Sequence, residues 1–348
     1  MGMLIKELID PTHLNMLRLN SDPAMIQQEN VSQAAIHLIK TIQNIELYPS
    51  LKELAQQFEA LQKNYPTIYS HRSFFVWQFS QAGYQLTSLN LAPIDFLQSN
   101  MLKCQAVFMT VLFDDICDLA KDKALFYKTK LALEGVINQD EIELYKLMGN
   151  TWLAFNRAVE LTPNHALLKP FLQDAYQKWI DSFEHSLAIQ QESFYLECKW
   201  KKHLEVISHS TIIYLAGLID LLFVSNLSTD QIYAASKVFL CTQQMAQLGN
   251  WASTWERELK QRDFTSGIFS IALENGWIDW ETLKNNSLEI VKQKISDSPA
   301  QSHLWREWER LRRESHKIVQ EIHLPVLDGY VESSSVIMFM QLASAGLM

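Results

Sequence analysis

Apolar residues recur at three- and four-residue spacing through most of the chain, as in Leu51, Leu54, Phe58 and Leu61 or Trp152, Phe155 and Val159. That period turns one face of a helix toward a core and gives a strand no continuous face. Breakers are scarce: 10 glycines and 9 prolines in 348 residues are too few for the turns of a sandwich or a propeller. No strand-period run, long-period repeat or polar linker divides the chain. The prediction is therefore one all-α domain over residues 1–348, a single large helical bundle or barrel. Breaks fall at Leu47 to Ser50, Leu91 to Pro93, Leu161 to Asn164, Asn226 to Thr229 and Asn275-Gly276, with Ser228-Thr229-Asp230 as a helix start. The first ~25 residues, and Asp297 to Ser302 around Pro299, read as irregular.

A formal net charge of -9 leaves no basic field to hold nucleic acid or an anionic membrane. Cys104, Cys117, Cys198 and Cys241 are dispersed and form no CxxC pair, which suits a reducing cytoplasm better than a secreted disulfide framework. Lys6, Glu7 and Asp10 interrupt any signal-peptide core, and Met1-Gly2 lacks a myristoylation site. The most membrane-like stretch, Ile212 to Val224, has 13 residues and carries Asp220, well short of the ~20 apolar residues a bilayer needs. It reads as a buried helix.

The sharpest local feature is an apolar run from Val107 that ends in Asp114, Asp115 and Asp118, a DDxxD pattern. On an α-helix these carboxylates share an arc of ~100°. Crowded like charges cost stability unless a cation answers them, and oxygen-only donors favour a hard ion such as Mg²⁺. The plain alternative is a solvated acidic helix end, although acids there oppose the helix dipole. Chance supplies this pattern only about 0.03 times in such a chain. A second element, Asn250, Thr254 and Glu258 at i, i+4 and i+8, stacks an amide, a hydroxyl and a carboxylate along one face. Alone it is weak, since chance supplies it about 0.25 times. Its value lies in the pairing.

The pair resembles the aspartate-rich and NSE motifs of class I terpene synthases, in order and in separation, and Arg257 stands before Glu258 as a basic residue often does there. The resemblance covers residues from about 70 to 335. It implies an α-helical barrel in which three Mg²⁺ bind a prenyl diphosphate, with Asp114 as principal ligand, Asp115 and Asp118 in support, and Asn250, Thr254 and Glu258 on another ion. Ionisation to an allylic carbocation and cyclisation follow, a lyase reaction of isoprenoid biosynthesis. Helical dimers are common in the family, so a homodimer stays open.

Three departures stand out. The usual arginine sensor of the diphosphate is missing from Leu204 to His209, the C-terminal Arg-Tyr pair is reduced to Gly329-Tyr330, and Trp251 fills the second NSE position. These resemble atypical or kaurene-synthase-like members and lean toward geranylgeranyl over farnesyl diphosphate. Arg257 and Tyr330 are then the expected diphosphate contacts, with Lys199, Lys201, Lys202, Lys260 and Arg262 as substitutes. Helical spacing puts Val107, Thr110 and Val111 beneath the aspartates, Gln243, Ala246 and Gln247 beneath Asn250, and Ile207, Thr211 and Tyr214 on an intervening helix. Trp77 heads a set of aromatics, with Phe74, Phe75, Phe79, Trp152, Phe155, Tyr176 and Trp179, whose π faces suit a carbocation. Aromatics at helical spacing more often fill the core.

Two rivals remain. A chain-elongating or head-to-head prenyltransferase shares the chemistry but normally carries two aspartate-rich motifs. A helical interaction protein would carry the acids as surface decoration.

Overall fold

The computed structural model describes residues 39–65, 75–136, 142–189, 199–322 and 324–343. The N-terminal ~25 residues read as irregular, together with Phe74 and Cys198, lie outside the described residues. The elements are α1 (Pro49–Asn64), α2 (Phe75–Leu86), α3 (Pro93–Asp114), a π turn (Asp115–Ala120), α4 (Lys123–Leu133), α5 (Glu143–Glu160), α6 (His165–Ile189) and α7 (Trp200–Ile207). After a 3₁₀ turn (Ser208–Thr211) come α8 (Ile213–Leu221), α9 (Thr229–Lys260), α10 (Gly267–Glu274), α11 (Trp280–Asn285), α12 (Leu288–Asp297), α13 (Ala300–Ile322) and α14 (Tyr330–Ala343). No strand occurs among the described residues.

Helix starts follow local chemistry. Pro49 and Pro93 open α1 and α3, where a missing N–H costs nothing and the fixed φ suits the first turn. Ser228 and Gln231 form a reciprocal capping box at the start of α9. The predicted irregular stretch from Asp297 shrinks to Ser298 and Pro299. The Pro299 carbonyl already accepts the first bond of α13 from the His303 N–H at 3.0 Å, so this proline sits at a helix entrance, where the ring is tolerated.

The 32-residue α9 is the mast of the bundle, flanked by α13, α14 and α8. Its N-terminal half joins the larger core with α1 to α6, α8 and the start of α14. Its C-terminal half joins a second core with α7 and α10 to α13. Trp251 belongs there: its ring stacks on His203 at 5.2 Å and fills the space over Gly267, where a Cβ would fall 2.2 Å from the ring. The departure at the second NSE position is thus a packing residue.

The apolar run from Ile212 is buried and helical, as its composition predicts, and the chain bends at its first residue. Ile212 takes φ 51°, and the two halves, Trp200–Thr211 and Ile213–Leu221, meet at 53°. Among the described residues no single helix is long and apolar enough to cross a membrane.

Candidate functional site

At Asp115 the backbone of α3 widens into the π turn, closed by Lys121 at φ 51° with its N–H on the Ile116 carbonyl. π turns inside helices recur at functional sites. The even α-helical arc assumed for the three aspartates therefore does not form. Asp115 is wholly buried, while Asp114 and Asp118 remain partly exposed and meet carboxyl to carboxyl. Ser186 of α6 donates to Asp118 Oδ1 at 2.7 Å. Burial first, then Asp114, then Asp263 hold the Asp118 carboxyl well above the usual carboxylate range.

On α9 the second triplet does share one face. Thr254 Oγ1 lies 2.7 Å from the Asn250 carbonyl and 2.5 Å from Glu258 Oε1. A hydroxyl carries one proton, so both contacts are satisfied together when Glu258 is neutral and donates. Burial, then the Asp263 charge, push the Glu258 carboxyl up to about 8, against the opposing pull of Thr254, Arg257 and Ser266. Ser266 stands near enough to favour the charged form, yet its hydroxyl makes no hydrogen bond of sound geometry. Glu258 Oε2 is buried without a hydrogen-bond partner among the described residues.

Asp263, a residue the motifs do not contain, joins the two halves. It is buried just past the end of α9, its N–H bonds the Glu258 carbonyl at 2.9 Å, and its charge acts on both Asp118 and Glu258. The Thr265 N–H holds its Oδ1 at 3.0 Å. The Thr265 carbonyl is held in turn by His203 Nε2 at 2.6 Å, and His203 Nδ1 lies 2.8 Å from His185 Nε2. A carbonyl only accepts, so His203 donates through Nε2 and accepts a hydrogen bond from the His185 Nε2–H at Nδ1. Burial lowers His203 to about 3 and His185 to about 4, which keeps this relay neutral. Lys121 Nζ reaches the Arg262 carbonyl at 3.5 Å, tying the π turn to the end of α9.

The remaining predicted residues divide. Arg257 is exposed and close enough to act on Glu258. Tyr330 does not reach the acids: it is buried beside Thr242 and Ser334, with its ring 5.2 Å from Phe239, two turns or more below Asn250. Lys199, Lys201 and Lys202 face Glu274, Glu307 and Glu205, Lys260 is exposed, and Arg262 Nη1 donates to the Lys284 carbonyl at 2.9 Å. None of these substitutes is placed among the acids.

Val107, Thr110 and Val111 lie along α3 on the Asp114 side, and Trp179 Nε1 donates to Thr110 Oγ1 at 3.0 Å. Gln243 braces the broken helix: its Oε1 accepts the Tyr214 N–H at 2.9 Å and its Nε2 meets His209 Nδ1 at 2.9 Å. Gln247 Oε1 is buried and unsatisfied above it, and Ala246 is buried alongside. Ile207 and Thr211 flank the break, where the Thr211 carbonyl accepts from Tyr84 at 3.1 Å. Tyr214 turns its ring toward Lys178 of α6, and Trp77 packs between Phe58 and Phe108.

No protein-family model matches the sequence, and no curated protein does. Among solved structures, linalool/nerolidol synthase from Streptomyces clavuligerus in complex with 2-fluorogeranyl diphosphate aligns with TM-score 0.53 and 12% identity, over 87% of this chain and 97% of that one. The chain has the class I terpene synthase fold. Aristolochene synthase from Penicillium roqueforti aligns at TM-score 0.43 and 14% identity over 85% and 94% of the two chains; the assignment rests on the former. Within that fold the acids of the π turn and the Glu258 face of α9 are linked through Asp263, and no arginine lies between Leu204 and His209.

Proposed function

We propose that the protein is a class I terpene synthase that ionises a prenyl diphosphate and cyclises the resulting cation. The allylic C–O bond breaks with its electron pair leaving on the diphosphate oxygen. The cation rearranges and ends by proton loss to a hydrocarbon or water capture to an alcohol. The observation that carries this reading is Glu258 Oε2, buried and unsatisfied, beside the Asp114–Asp118 carboxyl pair with Asp263 between them. Desolvated, crowded carboxylates are costly, and a structure that keeps these four together gains when a cation joins them.

Among the described residues no three His, Cys, Asp or Glu side chains form a ready metal cage. Mg²⁺ retains waters and phosphate oxygens and needs only one or two protein carboxylates, and the unsatisfied Glu258 oxygen with the opposed Asp114 and Asp118 carboxyls fits that demand. Asp114, Asp118, Asn250, Thr254 and Glu258 would hold the ions, three by resemblance, with buried Asp115 supporting the turn. Bound Mg²⁺ supplies neutralisation of the charge that accumulates on the leaving diphosphate.

The chain's own groups do the rest. Arg257 offers a guanidinium whose paired N–H groups match phosphate oxygens, and Lys121 brings an ammonium to the same rim. Below them Val107, Val111 and Ala246 give the hydrocarbon an apolar wall and keep water from the cation. The 2-fluorogeranyl diphosphate named for the Streptomyces protein supports the same substrate class.

Calorimetry with Mg²⁺ and inorganic diphosphate tests the site without substrate turnover. The wild-type protein should bind the two jointly and neither alone with comparable affinity, and Asp114→Asn or Arg257→Ala should weaken the joint binding ~10-fold or more. Absence of joint binding, or wild-type affinity in the Asp114 variant, contradicts the reading.

A further inference from the structure

Neighbouring residues of α6 join the two acid-bearing elements by a second route. Ser186 donates to Asp118 Oδ1 at 2.7 Å, and His185, the residue before it, meets His203 of α7 at 2.8 Å. His203 Nε2 donates to the Thr265 carbonyl at 2.6 Å, and the Thr265 N–H holds Asp263 Oδ1 at 3.0 Å. The contacts thus run from Asp118 to Asp263 by way of α6, α7 and the turn after α9. Asp263 is also the group whose charge acts on both Asp118 and Glu258. Mg²⁺ demands near-ideal octahedral geometry, so the spacing of carboxyls that share it has to be held.

His203 is fixed on every side that the structure describes. It is wholly buried, and its ring lies 5.2 Å from that of Trp251 at an interplanar angle of 13°. The Trp251 ring in turn covers Gly267, the first residue of α10, which follows the turn directly. At the start of the turn Arg262 takes φ 53°, and its guanidinium is pinned to the Lys284 carbonyl at 2.9 Å. A neutral imidazole donates at one nitrogen and accepts at the other within one rigid ring, so it sets two partners at a fixed separation as a long flexible cation does not. The two departures at Trp251 and from Leu204 to His209 therefore adjoin one assembly. α7, which carries no arginine, brings His203, and α9 brings the ring that clamps it.

We propose that His203, clamped by Trp251 and His185, is a positioning residue that sets the spacing of Asp263 and Asp118 and so tunes the affinity of the acids for Mg²⁺. The inference rests on the reading of these acids as the Mg²⁺–diphosphate site and deepens it. His203 acts only through other residues. Without its Nε2–H the Thr265 carbonyl loses its donor, and the turn that carries Asp263 is released from α7 and α6. The carboxyls themselves stay in place in the sequence, so the loss falls on their geometry. Residues that orient metal ligands commonly change affinity about 10–100-fold when removed.

The test is calorimetry of Mg²⁺ binding with saturating inorganic diphosphate in wild type, His203→Leu, His203→Gln and His185→Leu, with circular dichroism and a thermal midpoint for each. Glutamine keeps an amide N–H to donate and an oxygen to accept, and leucine keeps neither. His203→Leu should weaken Mg²⁺ binding about tenfold or more, and His203→Gln should recover most of the affinity. A role confined to packing would lower the thermal midpoint and leave Mg²⁺ affinity alone. His185→Leu leaves the Thr265 bond in place and should weaken binding as well, which carries the test if His203→Leu does not fold. Wild-type affinity in a folded leucine variant, or a folded His203→Gln as weak as His203→Leu, overturns the positioning role while the cyclase reading stands. A wild type that binds no Mg²⁺ with diphosphate overturns both.

Discussion

The carboxyls gathered around Asp263 are held in states that cost the protein alone. Glu258 is the clearest case, with its carboxyl pushed up to about 8 by burial and Asp263. Its folded form binds a proton more tightly than its unfolded form, so the associated stability is present below the ordinary pKa near 4.5 and is lost as pH rises through about 8. The metal-free protein should lose up to about 1.4 kcal/mol per pH unit from this one group in that window. Glu258→Gln should flatten that slope in chelator-treated samples followed by thermal denaturation, while turnover falls at least ~100-fold. An unchanged slope would show that the carboxyl is not desolvated as described. The spacing of Asn250, Thr254 and Glu258 was legible because i, i+4 and i+8 fix a face on any regular helix. Asp263 was not, because it lies past the end of α9, where no periodicity ties a side chain to a direction. Asp114, Asp115 and Asp118 were legible as a cluster but not in orientation, since nothing in their residue types distinguishes a π turn from an α-helix.

At the scale of elements, the broken helix from Trp200 to Leu221 depends on one side chain. The Gln243 amide accepts from the Tyr214 N–H and meets His209, so it satisfies a backbone donor that the break at Ile212 exposes. Gln243→Leu keeps similar bulk and should cost about 1–3 kcal/mol through the orphaned N–H, read as a lower midpoint in chemical denaturation. A midpoint within error of wild type would mean that the break is held by other contacts. Helix starts at Pro49, Pro93 and Ser228 were legible from proline and capping chemistry, which act within one turn. The break at Ile212, where the apolar run begins, was not legible, because the residue that braces it comes from another helix. Tyr330 was misplaced for a related reason: a count of residues beyond Asn250 says nothing of the level at which α14 enters the bundle.

On the scale of the whole molecule, α3 and α9 run through the bundle, their C-terminal acids are linked through Asp263, and a buried Lys103–Asp220 pair ties α3 to α8. The periodicity announced an all-α chain, and the two motifs announced its family resemblance. The meeting of those motifs at Asp263 required the fold, because it depends on residues distant in sequence. The central claim is that the two acid-bearing elements form one site that ionises a prenyl diphosphate. It is tested most directly by inorganic diphosphate release from farnesyl diphosphate with Mg²⁺, with products extracted and identified, in wild type, Asp114→Asn with Asp118→Asn, and Asp263→Asn. Wild type should release diphosphate with a hydrocarbon or alcohol as co-product, the aspartate double variant should lose at least ~1000-fold, and Asp263→Asn should lose ~10-fold or more, each with its helical signal intact. Wild-type release by the folded double variant would contradict the account.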